Sequence, residues 1–263
     1  MNPSLKQKLR LFLTGFSMGV ADLIPGVSGG TIAFLSGIYD ELIYSIKKLS
    51  GETLRLLLQL KFKAAIASIP FSFLIPLGLG LLSAVFGLSG LLTYLLEHFP
   101  IYVWSFFFGL VLVSTFVVLK RVVKWDLSDR IAFILAAVGA YFLVGLVPVE
   151  TPNTLQAIFL SGMVAICAMI LPGISGSFIL LLLGKYQQIL EAVTQRDFLT
   201  LGVFIMGAAV GISLFARVLS WLFRTHHDIS IAVLAGFMLG SVRKIWPWKE
   251  VIQTRIIDPC SSI

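Results

Sequence analysis

Residues 25–39 read PGVSGGTIAFLSGIY, and residues 172–186 read PGISGSFILLLLGKY. The two stretches align without a gap at an offset of 147 residues, since Pro25 aligns with Pro172. The identical pairs include Pro25 with Pro172, Gly26 with Gly173, Ser28 with Ser175, Gly29 with Gly176, Gly37 with Gly184 and Tyr39 with Tyr186. This duplication predicts that the chain is built from two related halves.

Each copy places helix-breaking residues between strongly apolar runs. Proline lacks an amide hydrogen and glycine tolerates unusual backbone angles, so both interrupt a helix. Inside a lipid bilayer, an interrupted backbone survives only where protein or a water-filled cavity satisfies its polar groups. Paired interruptions at matching places in two halves are typical of the binding site of a transporter.

The composition is that of an integral membrane protein. Hydrophobic residues make up 58% of the 263 residues, charged residues make up 13%, and the mean hydropathy is +0.98. Soluble domains are less apolar and more charged, and this length allows several spans of about 20 residues each. The net charge of +7 comes from Lys and Arg in short tracts between apolar runs, which indicates cytoplasmic loops rather than nucleic-acid binding.

The apolar runs predict an all-α, polytopic protein with a single transmembrane domain over residues 1–263. The first element, residues 11–46, has basic residues on both sides. It is therefore expected to form a re-entrant or broken helical hairpin that bends between Pro25 and Gly30. The next expected segments are an amphipathic or solvated helix over 47–63, a long kinked span (or a span plus a partial one) over 64–96, and spans over 101–119 and 131–149.

The second element, residues 155–192, is expected to begin outside, with spans after it at about 198–222 and 229–245. Opposite insertion of similar units is the inverted-repeat plan, here with repeats at about 5–149 and 155–250. Strict inversion places a basic group outside, against the positive-inside rule. If the second element instead crosses once as a broken helix, that group falls inside. Its members are Arg243, Lys244, Lys249 and Arg255.

Small polar residues follow each bend, at the start of the next helix. They are Ser28, Gly29, Gly30 and Thr31 in the first copy, and Ser175, Gly176 and Ser177 in the second. The first amides of a helix lack internal partners, and the helix dipole adds positive charge there. We expect the two helix starts to face each other and to hold a phosphate or carboxylate. The alternative is that the serines only cap helices and the glycines only permit close packing.

Few ionisable side chains fall within the apolar runs, where charge is costly and therefore suggests function. Arg217 is the best candidate for a phosphate partner, because a guanidinium fork matches phosphate oxygens; extension to the membrane interface is the alternative. Asp22 and Glu41 are candidates for coupling or gating, Asp22 by carrying a proton or cation. The alternatives are that Asp22 bonds the loop amides, and that Glu41 and Lys185 lie at the interface.

Motifs of several enzyme classes are absent from the sequence. GVSGGT lacks the Gly-Lys-Ser/Thr ending of a nucleotide-binding loop, and HExxH does not occur. Residues 26–30, GVSGG, fit the letters of GxSxG, but no strand pattern precedes them, as a nucleophile elbow requires. Cys167 and Cys260 predict neither a disulfide framework nor a zinc site. Arg224, His226 and His227 are interpreted as a polar turn, because a metal site needs more ligands than this neighbourhood offers. We expect no cofactor and no catalytic residue.

Three stretches resemble a known family: GFSMGVADLIPGVSGGTIAFLSGIYDELI (15–43), LPGISGSFILLLLGKY (171–186) and GFMLGSVRKIWPWK (236–249). The chain closely resembles the PopT-type polyprenyl-phosphate transporter family over nearly its whole length. The resemblance implies a multi-pass protein of the bacterial cytoplasmic (inner) membrane. It would return undecaprenyl phosphate, the lipid carrier of cell-wall precursors, from the outer to the inner leaflet. The implied motif positions are Asp22, Pro25, Gly26, Ser28, Gly29, Gly30, Thr31, Pro172, Gly173, Ser175, Gly176 and Ser177.

Members of that family usually continue after WPWK into another apolar span. Here VIQTRIIDPCSSI follows over residues 251–263, so the second repeat is expected to lack a final helix. A small-anion channel or carrier is the alternative function, because helix-start pockets bind phosphate whatever is attached to it. A membrane lipid phosphatase is less favoured, since it needs a nucleophile with an acid or base in reach. A coupling proton or sodium ion is the other expected partner, and nucleic acid is not.

Overall fold

The structure is a computed structural model that describes residues 4–24, 27–53, 55–56, 59–149 and 151–248. Over these residues every regular element is a helix, which confirms the all-α prediction. Several residues named above lie outside the described part of the chain. These are Pro25, Gly26, Lys249, Arg255, Cys260 and the segment 251–263.

The first half is a series of α-helices. Helix α1 begins with a capping box between Ser4 and Gln7, and α6 begins at Pro100, where the missing amide hydrogen would have had no helical partner. A π-helical turn, Leu49–Thr53, follows α3. The bounds are α1 Leu5–Asp22, α2 Gly29–Leu35, α3 Tyr39–Lys48, α4 Phe62–Ser68, α5 Phe71–His98, α6 Pro100–Leu119 and α7 Leu127–Leu143.

The second half repeats much of this order. Its bounds are α8 Leu155–Ile170, α9 Gly176–Leu182, α10 Tyr186–Thr194, α11 Phe198–Thr225 and α12 His227–Ser241, followed by a 3₁₀ turn, Val242–Ile245. Helix α9 matches α2 residue for residue at the offset of the motif, and α5 and α11 are each 28 residues long. The duplication therefore extends from the motif to the helices after it.

Three of the described helices, α5, α6 and α11, are long and apolar enough to cross a membrane. Helix α8 is apolar but shorter. At about 1.5 Å of rise per residue, the longest helices exceed the bilayer's hydrocarbon core of about 30 Å. The predicted spans over 101–119 and 198–222 coincide with α6 and α11, and these helices agree with the predicted membrane protein.

The helix predicted over 47–63 is interrupted, although residues 55–56 are helical. Helix α3 ends at Lys48, and the π-helical turn follows it. Leu60 then has a φ of 58°, in the left-handed region where a residue with a Cβ does not continue a right-handed helix. The chain therefore leaves α-helical geometry before α4.

The long span predicted over 64–96 is divided between α4 and α5. Ile69 is extended, with φ −74° and ψ 128°, because the proline after it disfavours the helical region. Helix α5 then begins at Phe71, directly after Pro70, and continues through Pro76. Of these two helices, α5 is the one long enough to cross a membrane, and α4 is a separate short helix.

The returning arm of each hairpin is two helices rather than one. Gly37, between α2 and α3, has a φ of 76°, and Gly184, between α9 and α10, has a φ of 64°. The next amides, those of Ile38 and Lys185, donate to carbonyls five residues earlier at 3.1 and 2.8 Å. This arrangement ends a helix at a left-handed glycine. Each two-helix hairpin of the prediction therefore consists of three helices.

Glycines let the long helices of each half approach closely. Helix α1 packs along α5, and α8 packs along α11. Gly15 on α1 and Gly80 on α5 leave no room for a side chain, because a Cβ would overlap a carbonyl of the facing helix. In the second half, Gly162 and Gly207 leave no room for a side chain for the same reason. Small residues at such contacts are typical of membrane helix pairs.

We expect Gly80→Ala to destabilise the protein and Gly78→Ala not to. A methyl group on Gly80 would overlap the carbonyl of Phe12, and overpacking costs about 1–3 kcal/mol. At Gly78, on the same helix, no atom lies within 4 Å of an added Cβ, and alanine favours a helix over glycine by about 1 kcal/mol. Thermal unfolding in one detergent compares the variants. Equal melting temperatures would contradict this contact between α1 and α5.

Candidate functional site

The two interrupted segments contact each other between the helices. The hydroxyl of Ser28 lies 3.3 Å from the carbonyl oxygens of both Met169 and Leu171. Ser28 is 1% exposed, and its one hydrogen is shared between the two carbonyls. A side chain of the first motif therefore binds the backbone at the second break, 141 residues further along the chain.

The acceptors are the last carbonyls of α8, which ends at Ile170. The end of a helix leaves its final carbonyls without partners, and Pro172 has no amide hydrogen to offer. The buried hydroxyl of Tyr39 donates to the carbonyl of Ile170 at 3.2 Å. Side chains of the first half thus satisfy three successive carbonyls of the second, at residues 169–171.

Thr31 and Gly173 form a further contact between the two segments. The amide of Gly173 donates to Thr31 Oγ1 at 3.1 Å, and both groups are buried. Gly173 has a φ of 91°, and a Cβ on Gly30 would lie 2.7 Å from the carbonyl oxygen of Ile170. At Gly30 the backbones of the two segments therefore approach too closely for a side chain, as the close-packing interpretation requires.

We expect Thr31→Val to lower the free energy of unfolding by about 1–3 kcal/mol, because valine leaves the buried amide of Gly173 without an acceptor. Thr115→Val is the matched control. Thr115 is also buried, but its hydroxyl donates within its own helix, to the carbonyl of Val111 at 2.8 Å. Equilibrium unfolding in mixed micelles measures both variants. An equal loss in both would contradict a special contribution of the Thr31 contact.

The start of α2 holds a carboxylate of the chain itself. The amide of Gly29 donates to Asp22 Oδ1 at 2.6 Å, and the amide of Gly30 donates to Ser28 Oγ at 3.1 Å. The carboxylate lies where unpaired amides and the helix dipole favour an anion. Of the two alternatives for Asp22, the structure contains the bond to the loop amides, and a role in coupling stays a prediction.

The start of α9 has an equivalent backbone without that carboxylate. At the offset of 147 residues, Met169 takes the position of Asp22. Met169 also lies beside its helix start: a Cβ on Gly176 would lie 2.8 Å from the carbonyl oxygen of Ala165 and 3.4 Å from Met169 Cβ, and one on Gly29 would lie 2.6 Å from the carboxylate of Asp22. The two helix starts therefore differ by one negative charge.

Two hydroxyls stand at the start of α9. Ser175 forms no hydrogen-bonded cap on α9, and its Oγ lies 2.7 Å from Ser177 Oγ. Ser175 is 9% exposed, whereas Ser177 faces outward. The second helix start therefore carries two hydroxyls that bond each other, that of Ser175 buried and that of Ser177 at the protein surface. The corresponding serine of the first motif, Ser28, instead bonds the backbone of the second half.

Arg217 and Glu41 both face outward. A terminal nitrogen of Arg217 lies 3.9 Å from a Cβ built on Gly51, beside the π-helical turn. Glu41 lies in the first turn of α3, where a carboxylate complements the helix dipole. In the part of the chain that the structure describes, neither side chain forms a hydrogen bond or ion pair with the motif residues. Their roles toward a substrate stay predictions.

Lys185 is a buried cation whose structural contacts the sequence patterns do not predict. It follows Gly184, is 0% exposed, and donates from Nζ to the carbonyl of Thr151 at 3.0 Å and to Asn153 Oδ1 at 2.6 Å. Lys185 therefore joins the end of α9 to the loop before α8. Its place directly after the glycine that ends α9 is the one available signal, since cations favour helix C-termini.

The ends of α2 and α9 have chemically different partners. The guanidinium groups of Arg10 and Arg121 donate to the final carbonyls of the α2 turn at 2.8 and 3.4 Å. The final carbonyls of the α9 turn accept instead from the hydroxyl of Thr151 at 2.6 Å and the amide of Val149 at 2.8 Å. The final carbonyls of the α2 turn thus accept from two cations, whereas those of the α9 turn accept from neutral loop groups, with the one cation Lys185 bonded to the loop beside them.

Comparison with known proteins identifies the family. The model of the undecaprenyl phosphate translocase-like family matches residues 18–261. The chain belongs to this family. A polyprenyl-phosphate transporter of Vibrio cholerae is 43% identical over 248 residues, covering 94% of this chain and 80% of that protein. One of Staphylococcus aureus is 34% identical over 257 residues, covering 89% of this chain and 85% of that protein.

The family membership confirms the resemblance carried by the three sequence stretches. Both relatives are named as transporters, in agreement with the prediction that this family member is not an enzyme. No solved structure matches the chain. Within the described ranges, no group of three or more His, Cys, Asp or Glu side chains could hold a metal ion.

Proposed function

We propose that this family member carries undecaprenyl phosphate from the outer to the inner leaflet of the bacterial cytoplasmic membrane. The family and the names of the two relatives support a polyprenyl phosphate as substrate. One observation carries the proposal for the site: at equivalent helix starts, Asp22 supplies an anion to the first, and Met169 supplies none to the second.

The phosphate is proposed to bind at the start of α9. In the first half, a carboxylate oxygen accepts from Gly29 at 2.6 Å, and this bond illustrates how an anion fits this backbone. In the second half, a phosphate oxygen takes the equivalent place beside Gly176, and the hydroxyls of Ser175 and Ser177 donate to the other oxygens. Ser177 faces outward, so the isoprenoid tail remains in lipid. Amides and hydroxyls add no fixed charge at membrane depth.

The two halves are proposed to be inverted repeats, at about 5–149 and 155–250, each with a re-entrant hairpin. Arg10 and Arg121 at the end of α2 favour a cytoplasmic position for that end. At the end of α9, Thr151 and Val149 replace the two arginines as donors, and Lys185 is the one cation; this smaller basic excess favours the opposite side. The bonds between the two breaks agree with hairpin tips that meet from opposite sides.

The pairing of α7 with α12 supports the same arrangement. Near the start of both helices, Asp228 accepts from the amide of Lys124 at 3.1 Å. Near the end of both, Arg243 donates to the carbonyl of Tyr141 at 3.2 Å, and its guanidinium lies 4.4 Å from the centre of the Tyr141 ring. Strict inversion leaves Arg243 outside, where this cation–π contact gives it a structural role.

Alternating access requires the contact between the two breaks to open. In the described conformation, Ser28 is bonded to Met169 and Leu171, and Thr31 is bonded to Gly173. Ser28 and Thr31 thereby hold the second break closed against the first. We propose that these bonds break when the head group passes, since each contributes only about 1 kcal/mol net.

Three further residues have proposed roles in the cycle. Arg217 attracts the phosphate to α11, because it carries a fixed charge and a fork of donors. Asp22 and Glu41 are the groups on which a coupling proton or sodium ion acts. Asp22 is directly placed to do so, since its carboxylate binds the start of α2.

Transfer of labelled undecaprenyl phosphate between the leaflets of proteoliposomes tests the function. The protein is expected to accelerate transfer over liposomes that contain heat-denatured protein, and separate proton and sodium gradients identify the coupling ion. Passage of free phosphate without lipid transfer would favour a small-anion carrier, and release of phosphate from the lipid would favour a phosphatase. Absence of lipid transfer by the folded protein would overturn the proposal.

A further inference from the structure

A cavity of about 430 Å³ lies between α3 and the junction of α11 with α12. It is distinct from the contact between the two breaks, and residues of both halves line it. The polar part of the lining consists of Asp40, Tyr44, Lys47, Ser220, Arg224 and His227. The cavity therefore brings together the polar turn after α11 and the basic end of α3.

Arg224 and Lys47 bring two positive charges to this cavity from different halves of the chain. Arg224 donates from Nε to the carbonyl of Ser220 at 3.3 Å. Among the described residues this leaves its two terminal nitrogens for a ligand, and such a fork matches two phosphate oxygens. The carboxylate of Asp40 offsets one of the charges. His227 is held by Asp228, with 3.1 Å between Nδ1 and Oδ1.

The apolar part of the lining lies between the cavity and the two helix breaks. It is formed by Ile43 and Phe223. The ring of Phe223 lies 5.8 Å from that of Tyr39, whose hydroxyl donates to the carbonyl of Ile170 at the second break. One layer of aromatic side chains therefore separates the cavity from the contact between the hairpins.

We infer that this cavity is a second phosphate site, which takes a phosphate monoester attached to an apolar chain. Arg224, Lys47 and the Tyr44 hydroxyl bind the phosphate, and Ile43 and Phe223 contact the first hydrocarbon units. Inorganic phosphate would use only the polar part of the lining. The identity of the lipid as undecaprenyl phosphate rests on the proposed function, whereas binding of a prenyl phosphate here does not.

Binding of farnesyl phosphate to the purified full chain in a neutral detergent, followed by calorimetry, tests the inference. A Met169→Asp parent carries a carboxylate at the proposed site on α9, so that binding which remains sensitive to Arg224 is assigned to the cavity. In this parent, Arg224→Gln is expected to raise the Kd about tenfold through loss of a charge-assisted bond. Asp40→Asn is expected to lower the Kd about threefold, because it removes a carboxylate that faces the anion.

Arg130→Gln is the matched control, since it makes the same charge change at an exposed position of α7. Its Kd is expected to equal that of the parent. Farnesol, without phosphate, and inorganic phosphate, without a chain, are expected to bind at least about tenfold more weakly. Lys47→Gln repeats the test at the second cation if Arg224→Gln melts at a lower temperature than the parent.

Equal Kd values for Arg224→Gln and Arg130→Gln would overturn the inference. Inorganic phosphate binding as tightly as farnesyl phosphate would overturn the assignment to a lipid. The proposed function and this second site can be refuted independently. A protein that does not transfer lipid, but binds farnesyl phosphate with the expected dependence on Arg224, would contradict the proposed function and support the second site.

Discussion

Met169→Asp is expected to reduce the transfer of undecaprenyl phosphate in proteoliposomes by at least about tenfold. The new carboxylate would lie beside Gly176 as the carboxylate of Asp22 lies beside Gly29. It would take the amides that the proposed function gives to the phosphate. An anion attached to the chain competes at an effective concentration in the millimolar range. The initial transfer rate, at equal amounts of folded protein, measures the effect.

Two other substitutions at the same position separate charge from shape. Met169→Leu keeps an apolar side chain of similar volume and is expected to transfer lipid like the parent. Met169→Asn adds an amide oxygen without a charge, and its rate is expected to fall between the other two. A folded Met169→Asp protein with the parent's rate would contradict phosphate binding at the start of α9.

Gly173→Ala is expected to have the largest effect on stability, about 3 kcal/mol or more. The φ of 91° at Gly173 costs a residue with a Cβ about 1–3 kcal/mol. The added methyl would also lie 2.8 Å from Ser241 Oγ and 2.9 Å from the Cα of Met238, and overpacking costs about 1–3 kcal/mol more. The melting temperature in detergent, relative to the parent, measures the loss.

Gly37→Ala isolates the contribution of backbone strain. Gly37 also has a positive φ, 76°, but the nearest atom to an added Cβ is a terminal nitrogen of Arg121 at 3.7 Å. Only the strain, about 1–2 kcal/mol, is expected there. Similar losses of melting temperature in the two variants would mean that Gly173 does not pack against α12 as described.

The interruptions of the helices are predictable from the chain because their chemistry is local. Gly37 and Gly184 stop helices in the same way in both halves, and α2 and α9 begin at matching motif residues. The segment 47–63 shows the limit of such prediction. Its leucine and lysine spacing suits a helix, but a π-helical turn and the positive φ of Leu60 interrupt it. Gly51 signals only a weakened helix, and no residue type there specifies a π-helical turn or a positive φ at Leu60.

The partners of the motif side chains are not predictable in this way. Ser28 donates to carbonyls 141 and 143 residues away, and Tyr39 reaches a third carbonyl between them. Hydrophobic periodicity indicates which face of a helix is apolar, but it does not indicate which segment lies against that face. Arg217 is a similar case, because its neighbour Gly51 belongs to a turn that the residue pattern does not predict.

One signal for the site is present in the alignment of the two halves. The offset that pairs Ser28 with Ser175 also pairs Asp22 with Met169. Residue types alone do not reveal the meaning of that difference, because an aspartate near a helix start binds either the amides or a ligand. The bond from Gly29 to Asp22 distinguishes the two.

The duplication, the helix breaks and the membrane character follow from residue types in the chain. Proline, glycine and apolar side chains act through the local backbone and through transfer out of water, and neither effect needs a distant partner. How the helices pack decides the contact of one break with the other. It also decides that Asp22 occupies the start of α2, while Ser175 and Ser177 lie at the start of α9. Hydrogen bonds between remote segments form only after that packing has brought donor and acceptor within about 3 Å.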